Sequence, residues 1–224
     1  MANSISMPPG KITALRVQVN NPQRVNLFID DVFALGVSLN TISKESLFVG
    51  MELSAEEFAR LEAAEGGEKA FQAALRALEA RPRSVSEIRE RLRRKEFAPE
   101  AIQQTLERLE RLGLVDDTSF ARRWVENRQL LSPRGKNALR DELRRKGVDR
   151  DTATDVLADE DLLGDQGEQA MAVGRTALHK YVNAPDKMTF TRKLGGYLQR
   201  RGFGFDVIRP VIDTLWAELR TAKE

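Results

Sequence analysis

The chain contains no cysteine. Disulfides, thiolate metal sites and cysteine nucleophiles are therefore excluded. Histidine occurs once, as His179, and aromatic residues make up only 6%. No serine sits in a nucleophile-elbow pattern, so a Ser-His-Asp triad has no support, and His179 is expected on a helix face or partly packed. No run approaches the ~18 consecutive apolar residues of a membrane helix. Met1 to Gly10 lacks a basic segment followed by an apolar core, so no secretory leader is expected. No Gly-x-x-x-x-Gly-Lys-Ser/Thr cradle for phosphates occurs. Gly202-Phe203-Gly204 is too short for a dinucleotide fingerprint and follows no strand. Asp159-Glu160-Asp161 briefly imitates a calcium loop, but Leu163 and Ala170 stand where ligands are needed. These absences lead us to expect a cytoplasmic, non-enzymatic protein with no cofactor and no metal.

What is present is charge. The 224 residues are 41% hydrophobic, enough for a folded protein, and 31% charged. The formal net charge is only +2, with a pI near 9.0, yet the signs are segregated. Arg81–Lys95 holds seven basic residues against Glu87 and Glu90, whereas Asp151–Glu168 holds seven acidic residues and no basic one. Local fields then matter more than the sum. The acidic run is expected to be a solvated linker between units, with docking to a basic surface of a partner as the functional alternative.

The first stretch has a period of two. Ile12, Val17 and Val19 precede a turn signal at Asn20-Asn21-Pro22, and Val25, Leu27 and Ile29 alternate strictly. Asp30-Asp31 then separates this run from Val32–Leu39, which predicts a hairpin. Ser54 with Glu57 three residues on forms a capping box at a helix start. Glu65-Gly66-Gly67 is expected to end that helix and to mark the first boundary.

Beyond Gly67 the period becomes helical. Ala70, Ala74, Leu75 and Leu78 share one face, and Pro82 stops that helix. Ser84 and Glu87 predict a second capping box, with Val85, Ile88 and Leu92 behind it. Pro99 opens the next helix, with its stripe at Ile102, Leu106, Leu109 and Leu112, and Gly113 closes it. The unit then recurs. Ile88 through Phe97 aligns with Leu139 through Val148 and with Leu194 through Phe203, at offsets of 51 and then 55 residues. Each copy has an apolar pair four apart, two basic residues, one further residue and an apolar one, and Ile102, Ala153 and Ile208 follow at the same distance. Pro210 is expected in the first turn of the last helix, with Asp206 as its cap. Phe97, Phe203, Trp124 and Trp216 are expected in the core rather than as stacking platforms. A mostly α fold follows: three tandem three-helix, helix-turn-helix-like repeats in an elongated array behind a small N-terminal β-rich head. The expected domains are residues 1–66, 67–116, 117–165 and 166–224.

The basic residues carry the functional reading. Arg89 and Arg93 share a helix face four apart, and Arg140 and Arg144 occupy the matching places in the second copy. Arg94-Lys95, Arg145-Lys146 and Arg200-Arg201 recur at helix ends. Cations favour helix C-termini by about 0.3–1 kcal/mol each, which accounts for one pair per helix. It does not account for Arg81, Arg83, Arg122, Arg123, Arg128, Arg134, Lys136 and Arg140 as well. Clustered cations are the footprint of a polyanion or acidic partner. The candidate binding residues are thus Arg83, Arg89, Arg93, Arg94, Lys95, Arg134, Lys136, Arg140, Arg144, Arg145, Lys146, Arg200 and Arg201.

Several of these segments resemble the RecX family of regulatory proteins. The carriers are Arg81-Pro82-Arg83-Ser84, Glu87-Ile88-Arg89, Leu112-Gly113-Leu114-Val115-Asp116-Asp117 with Phe120-Ala121, and Leu143-Arg144-Arg145-Lys146-Gly147. Arg24 to Asp31 leading into Phe33-Ala34-Leu35-Gly36 fits the family's head. Asp31 and Glu96 stand where the family pattern has glycine, and the third copy diverges. The resemblance implies a protein of DNA repair, homologous recombination and the SOS response. Its expected partners are RecA recombinase filaments on single-stranded DNA and, weakly, single-stranded DNA itself. It would lie along the filament and suppress its ATPase and strand exchange. No membrane contact is expected, and the chain is expected to be a monomer. The alternative left open is a helix-turn-helix-like DNA-binding transcription regulator.

Overall fold

A computed structural model describes residues 10–221. The expectation for Met1 to Gly10 lies, Gly10 apart, outside the described residues. The head is a four-stranded antiparallel sheet of β1 (Gly10–Gln18), β2 (Asn21–Ile29), β3 (Val32–Ser38) and β4 (Glu52–Leu53), in the order β3-β2-β1-β4. Alternation turns Val25, Leu27 and Ile29 to one face, where they pack with Ile12, Val37, Phe58 and Leu61. The predicted hairpin is there. Asp30 and Asp31 both have positive φ, 48° and 65°, the backbone of a two-residue turn whose twist matches its strands. The Asp30 carboxylate accepts the Lys11 N–H at 3.2 Å, and the Asp31 N–H donates to Thr13 Oγ1 at 2.9 Å. The earlier turn sits at Val19-Asn20 instead, and Asn21-Pro22 already opens β2, a strand start where proline is tolerated.

After α1 (Leu39–Lys44), the long helix α2 (Ala55–Ala80) starts on the expected Ser54–Glu57 capping box. It does not end at Gly66-Gly67. Two helix-interior glycines cost about 1 kcal/mol each relative to alanine, and burial on both sides outweighs that. Glu65, wholly buried, accepts the Ser38 N–H at 2.9 Å and the Thr41 hydroxyl at 3.2 Å, and pairs with Arg24 at 2.7 Å. Downstream, Ala70, Phe71, Ala73, Ala74 and Ala77 are buried on the same helix. The head and the first repeat therefore share one helix.

Three tandem three-helix groups follow. They are the second half of α2 with α3 (Val85–Arg93) and α4 (Pro99–Arg111); α5 (Asp117–Leu131), α6 (Lys136–Arg145) and α7 (Arg150–Val156); and α9 (Gln166–Ala177), α10 (Lys187–Arg200) and α11 (Phe205–Thr221). The short α8 (Glu160–Leu163) precedes the last group. The repeat positions behave alike. Ile88 and Leu92, Leu139 and Leu143, and Leu194 and Leu198 are all fully buried. Each middle helix closes the same way. The Phe97, Val148 and Phe203 N–H groups return to the carbonyls of Leu92, Leu143 and Leu198 at 3.3, 3.1 and 3.2 Å. The residues before them, Glu96, Gly147 and Gly202, are left-handed. This is the double closure that satisfies a helix's last carbonyls. It explains the repeated apolar residue, which is buried at Val148 and Phe203 and half-buried at Phe97. Trp124 and Trp216 flank the second and third cores half-buried.

Pro210 is not in the first turn and Asp206 is not the cap. The Ile208 N–H bonds the Gly204 carbonyl at 2.9 Å, so α11 begins at Phe205 and Pro210 lies inside it. The acidic run is also not a bare linker. Asp159 caps α8 through the Leu162 N–H at 3.1 Å and pairs with Arg122 at 2.9 Å, and Leu163 is buried. The second and third repeats are stitched by backbone. The Gly135 N–H meets the Arg201 carbonyl at 2.9 Å and the Asn137 N–H meets that of Gly202 at 3.1 Å.

The chain forms two compact units. Of the described residues, one holds those up to Arg83 with Ile88–Leu114. The other holds Ser84–Glu87 with Val115 onward. Ser84 belongs to the second because its hydroxyl donates to the Lys146 carbonyl while accepting the Glu87 N–H at 3.1 Å. Glu87, the expected reciprocal cap, gives its carboxylate to Lys146 at 2.8 Å.

Candidate macromolecule-binding surface

The basic residues divide by what the fold does with them. Arg89 is exposed on α3, one residue past the buried Ile88, and Arg140 is exposed on α6 in the matching place. Arg93 and Arg144 follow four residues later on the same faces. Both are largely solvent-facing, with side chains 71% and 79% exposed. Their ion pairs are local. Glu90 takes Arg93 through two bonds at 2.8 and 3.0 Å and Arg94 at 2.8 Å. Asp141 sits 3.5 Å from Arg144. Hydrogen bonds from Arg93 and Arg94 pull the Glu90 carboxyl down to about 2. Such solvent-screened surface pairs contribute little to stability, so these cations are held in place without being neutralised by the core. Arg140 bonds Asn137 at 3.2 Å, Arg145 bonds the Asp141 carbonyl at 3.1 Å, and Lys95 and Arg200 are exposed.

Other expected binding residues are drawn inward. Arg83 donates to the Ala77 carbonyl at 2.9 Å, tying down the end of α2. Lys146 binds Glu87 and lies over the Trp124 ring at 4.7 Å. Arg201 reaches Ser132 at 3.3 Å and lies over Tyr197 at 5.3 Å. Arg134 is half-buried 3.8 Å from Glu142, a carboxylate already engaged by Arg128 at 2.7 Å and the Trp124 indole N–H at 2.9 Å. Lys136 is half-buried, its N–H on Gln166 Oε1 at 3.0 Å. The repeat alignment identifies these positions, but charge alone does not separate a cation that holds two elements together from one that faces water.

The third repeat lacks the shared face. Gly195 and Gly196 stand where the other copies have Arg89-Glu90 and Arg140-Asp141. Nothing in the sequence pattern singles out Lys69 and Arg76. They lie seven residues apart on one side of α2. His179 is exposed, with its Nδ1 3.0 Å from the Thr176 carbonyl. Among the described residues no group of acidic or imidazole side chains is arranged to hold a metal, and no helix is long and apolar enough to cross a membrane.

Comparison with known proteins follows this organisation. Residues 10–54 match the regulatory protein RecX N-terminal domain, and residues 70–109, 116–157 and 165–212 match the RecX first, second and third three-helix domains. A protein named regulatory protein RecX from Bacillus licheniformis is 32% identical over 88% of this chain and 74% of its own length. Another from Mycobacterium avium is 36% identical over 70% of this chain and 88% of its own. A crystal structure of a regulatory protein RecX superposes with a TM-score of 0.76 over 91% of this chain and 99% of the other, at 24% identity. That last likeness concerns the fold.

Proposed function

The chain belongs to the RecX family of regulatory proteins, and from that premise we propose that it binds RecA recombinase filaments on single-stranded DNA and inhibits their ATPase and strand exchange. The observation that supports this most is the recurrence of exposed arginines. Arg89 and Arg93 on α3 have counterparts in Arg140 and Arg144 on α6, at one position in two successive repeats. A repeated protein face suits a repeated partner. Several modest contacts then add, because each contact raises the local concentration of the next. The role is non-catalytic and works at DNA repair in the cytoplasm. Direct binding to single-stranded DNA is weak and depends on salt, since phosphate contacts release counterions.

The test is RecA ATPase on single-stranded DNA titrated with the protein. Turnover should fall as protein is added. Arg89, Arg93, Arg140 and Arg144 changed together to Ala should weaken inhibition while the far-UV spectrum stays native. Undiminished ATPase at saturating protein, or tight sequence-specific binding to a duplex operator, would overturn the proposal.

A further inference from the structure

A cleft of about 610 Å³ opens in the first compact unit. Its walls are the start of β2, the β3–α1 junction, one face of α2 and the loop after α3. Lys69, Arg76 and Lys95 line it together with the half-buried ring of Phe97. Lys69 and Arg76 are seven residues apart and so lie on the same side of α2. A second cleft, about 430 Å³, shares Asn40 and Glu68 with the first and adds Lys44, Arg108 and Arg111. The acid on the shared wall is already engaged, because Glu68 pairs with Arg108 at 3.0 Å and accepts from Gln72 at 3.1 Å. Arg24, also in the wall, is matched by the buried Glu65, which Lys69 approaches at 4.0 Å. One carboxylate thus stands against two cations there, and Arg76 and Lys95 add further positive charge. The net charge facing the paired cleft is positive.

We propose that this paired cleft is a binding site for a single-stranded nucleic acid segment. Lys69, Arg76 and Lys95 take backbone phosphates, and a base lies on the ring of Phe97. Base-on-aromatic stacking tolerates any sequence, and a cationic groove tracks the backbone. The side-chain amides of Asn21, Gln23 and Asn40 in the wall offer both donors and acceptors to base edges. An acidic peptide would use the cations and the amides but would leave the aromatic face without a stacking partner. The volume lies within the roughly 300–1,000 Å³ of clefts that enclose small molecules, which admits unpaired nucleotides. The inference extends the proposed role at single-stranded DNA. Its test reads the protein alone, so RecA inhibition and cleft binding succeed or fail separately.

The experiment is anisotropy of a fluorescein-labelled oligothymidylate with the intact protein across a salt series. In Arg76→Ala/Lys95→Ala the slope of log affinity against log salt should shrink by about 1.4, at about 0.7 for each phosphate no longer neutralised. Phe97→Leu, which keeps apolar bulk and removes the π face, should weaken binding about tenfold, the low end of what one base–aromatic stack contributes, with the slope unchanged. Polyglutamate should compete far less well than unlabelled oligothymidylate. An unaltered affinity and slope in natively folded Arg76→Ala/Lys95→Ala would overturn the site. Equal competition by polyglutamate would overturn it in favour of an acidic polypeptide.

Discussion

Glu90 and Glu65 show two uses of a carboxylate beside arginine. Glu65 is at 0% exposure and joins Arg24, Ser38 and Thr41. It sits one residue before the glycines that suggest a helix end, and nothing in the local sequence marks it as buried. The partners that satisfy it lie 24 to 41 positions away in the chain, so only the folded head reveals its role. Glu90 is local and legible, with Arg93 and Arg94 three and four residues on. Hydrogen bonds from both arginines lower its carboxyl from the usual 4.5 to about 2. The folded value is the depressed one. Its contribution is therefore present above about pH 4.5 and fades as pH falls towards 2. Titration of the Glu90 side-chain carboxyl by NMR should give a midpoint near 2, and Arg93→Ala should move it up towards 4.5. A midpoint near the usual value in the unaltered protein would show that the arginines are not held by Glu90 in solution.

Among the elements, the three middle helices α3, α6 and α10 are the most legible. Their apolar pairs at Ile88/Leu92, Leu139/Leu143 and Leu194/Leu198 name the core directly, and all are fully buried. The helix ends are less so. Gly66-Gly67 carries the signature of a stop, yet α2 continues, because tertiary burial overrides propensity. The start of α11 is hard to place from sequence because Asp206 offers a side-chain cap and Gly204 offers none. The departure at Glu96 turns out to be informative. Its φ of +60° falls in the same left-handed closure as Gly147 at +77° and Gly202 at +91°. The backbone there is glycine's, and Glu96 occupies it at a cost of about 1–2 kcal/mol. Glu96→Gly removes that strain against the greater unfolded-state entropy of glycine, so a net gain of about 0.5–1 kcal/mol is expected. The converse, Gly147→Ala, should destabilise by more than about 1 kcal/mol, since its Cβ would also collide with Ser86. Urea unfolding midpoints check both. A loss of stability in Glu96→Gly would mean that the Glu96 side chain contributes more than its backbone costs.

For the whole molecule, the repeat is legible in sequence and its grouping is not. The spacing suggests separate modules joined by linkers. In the fold the head and first repeat share α2, and the second and third repeats share the Gly135–Arg201 and Asn137–Gly202 backbone bonds. Two compact units result. This decides where a cut would test whether the protein acts as one linked body. A nick between Gly164 and Gly167 falls inside the second unit but between its two separate cores, where two backbone bonds of about 1 kcal/mol each are too few to hold the pieces together, so an equimolar mixture of the folded pieces should inhibit RecA less potently than the intact chain. A cut between Leu114 and Val115 falls where the units divide. It leaves Ser84–Glu87 on the first piece without Lys146, so both pieces must first be shown to fold by far-UV circular dichroism. Assayed as an equimolar mixture, at concentrations where sedimentation shows the pieces apart, they should inhibit about 10²–10⁴-fold less potently than the intact chain, the typical penalty when two binding modules are unlinked. Equal potency of the mixture would rule out linkage between the units as the source of affinity. Full potency of one piece alone would place the inhibitory contact in that unit, and Arg89 with Arg93 or Arg140 with Arg144 would then suffice without the other pair.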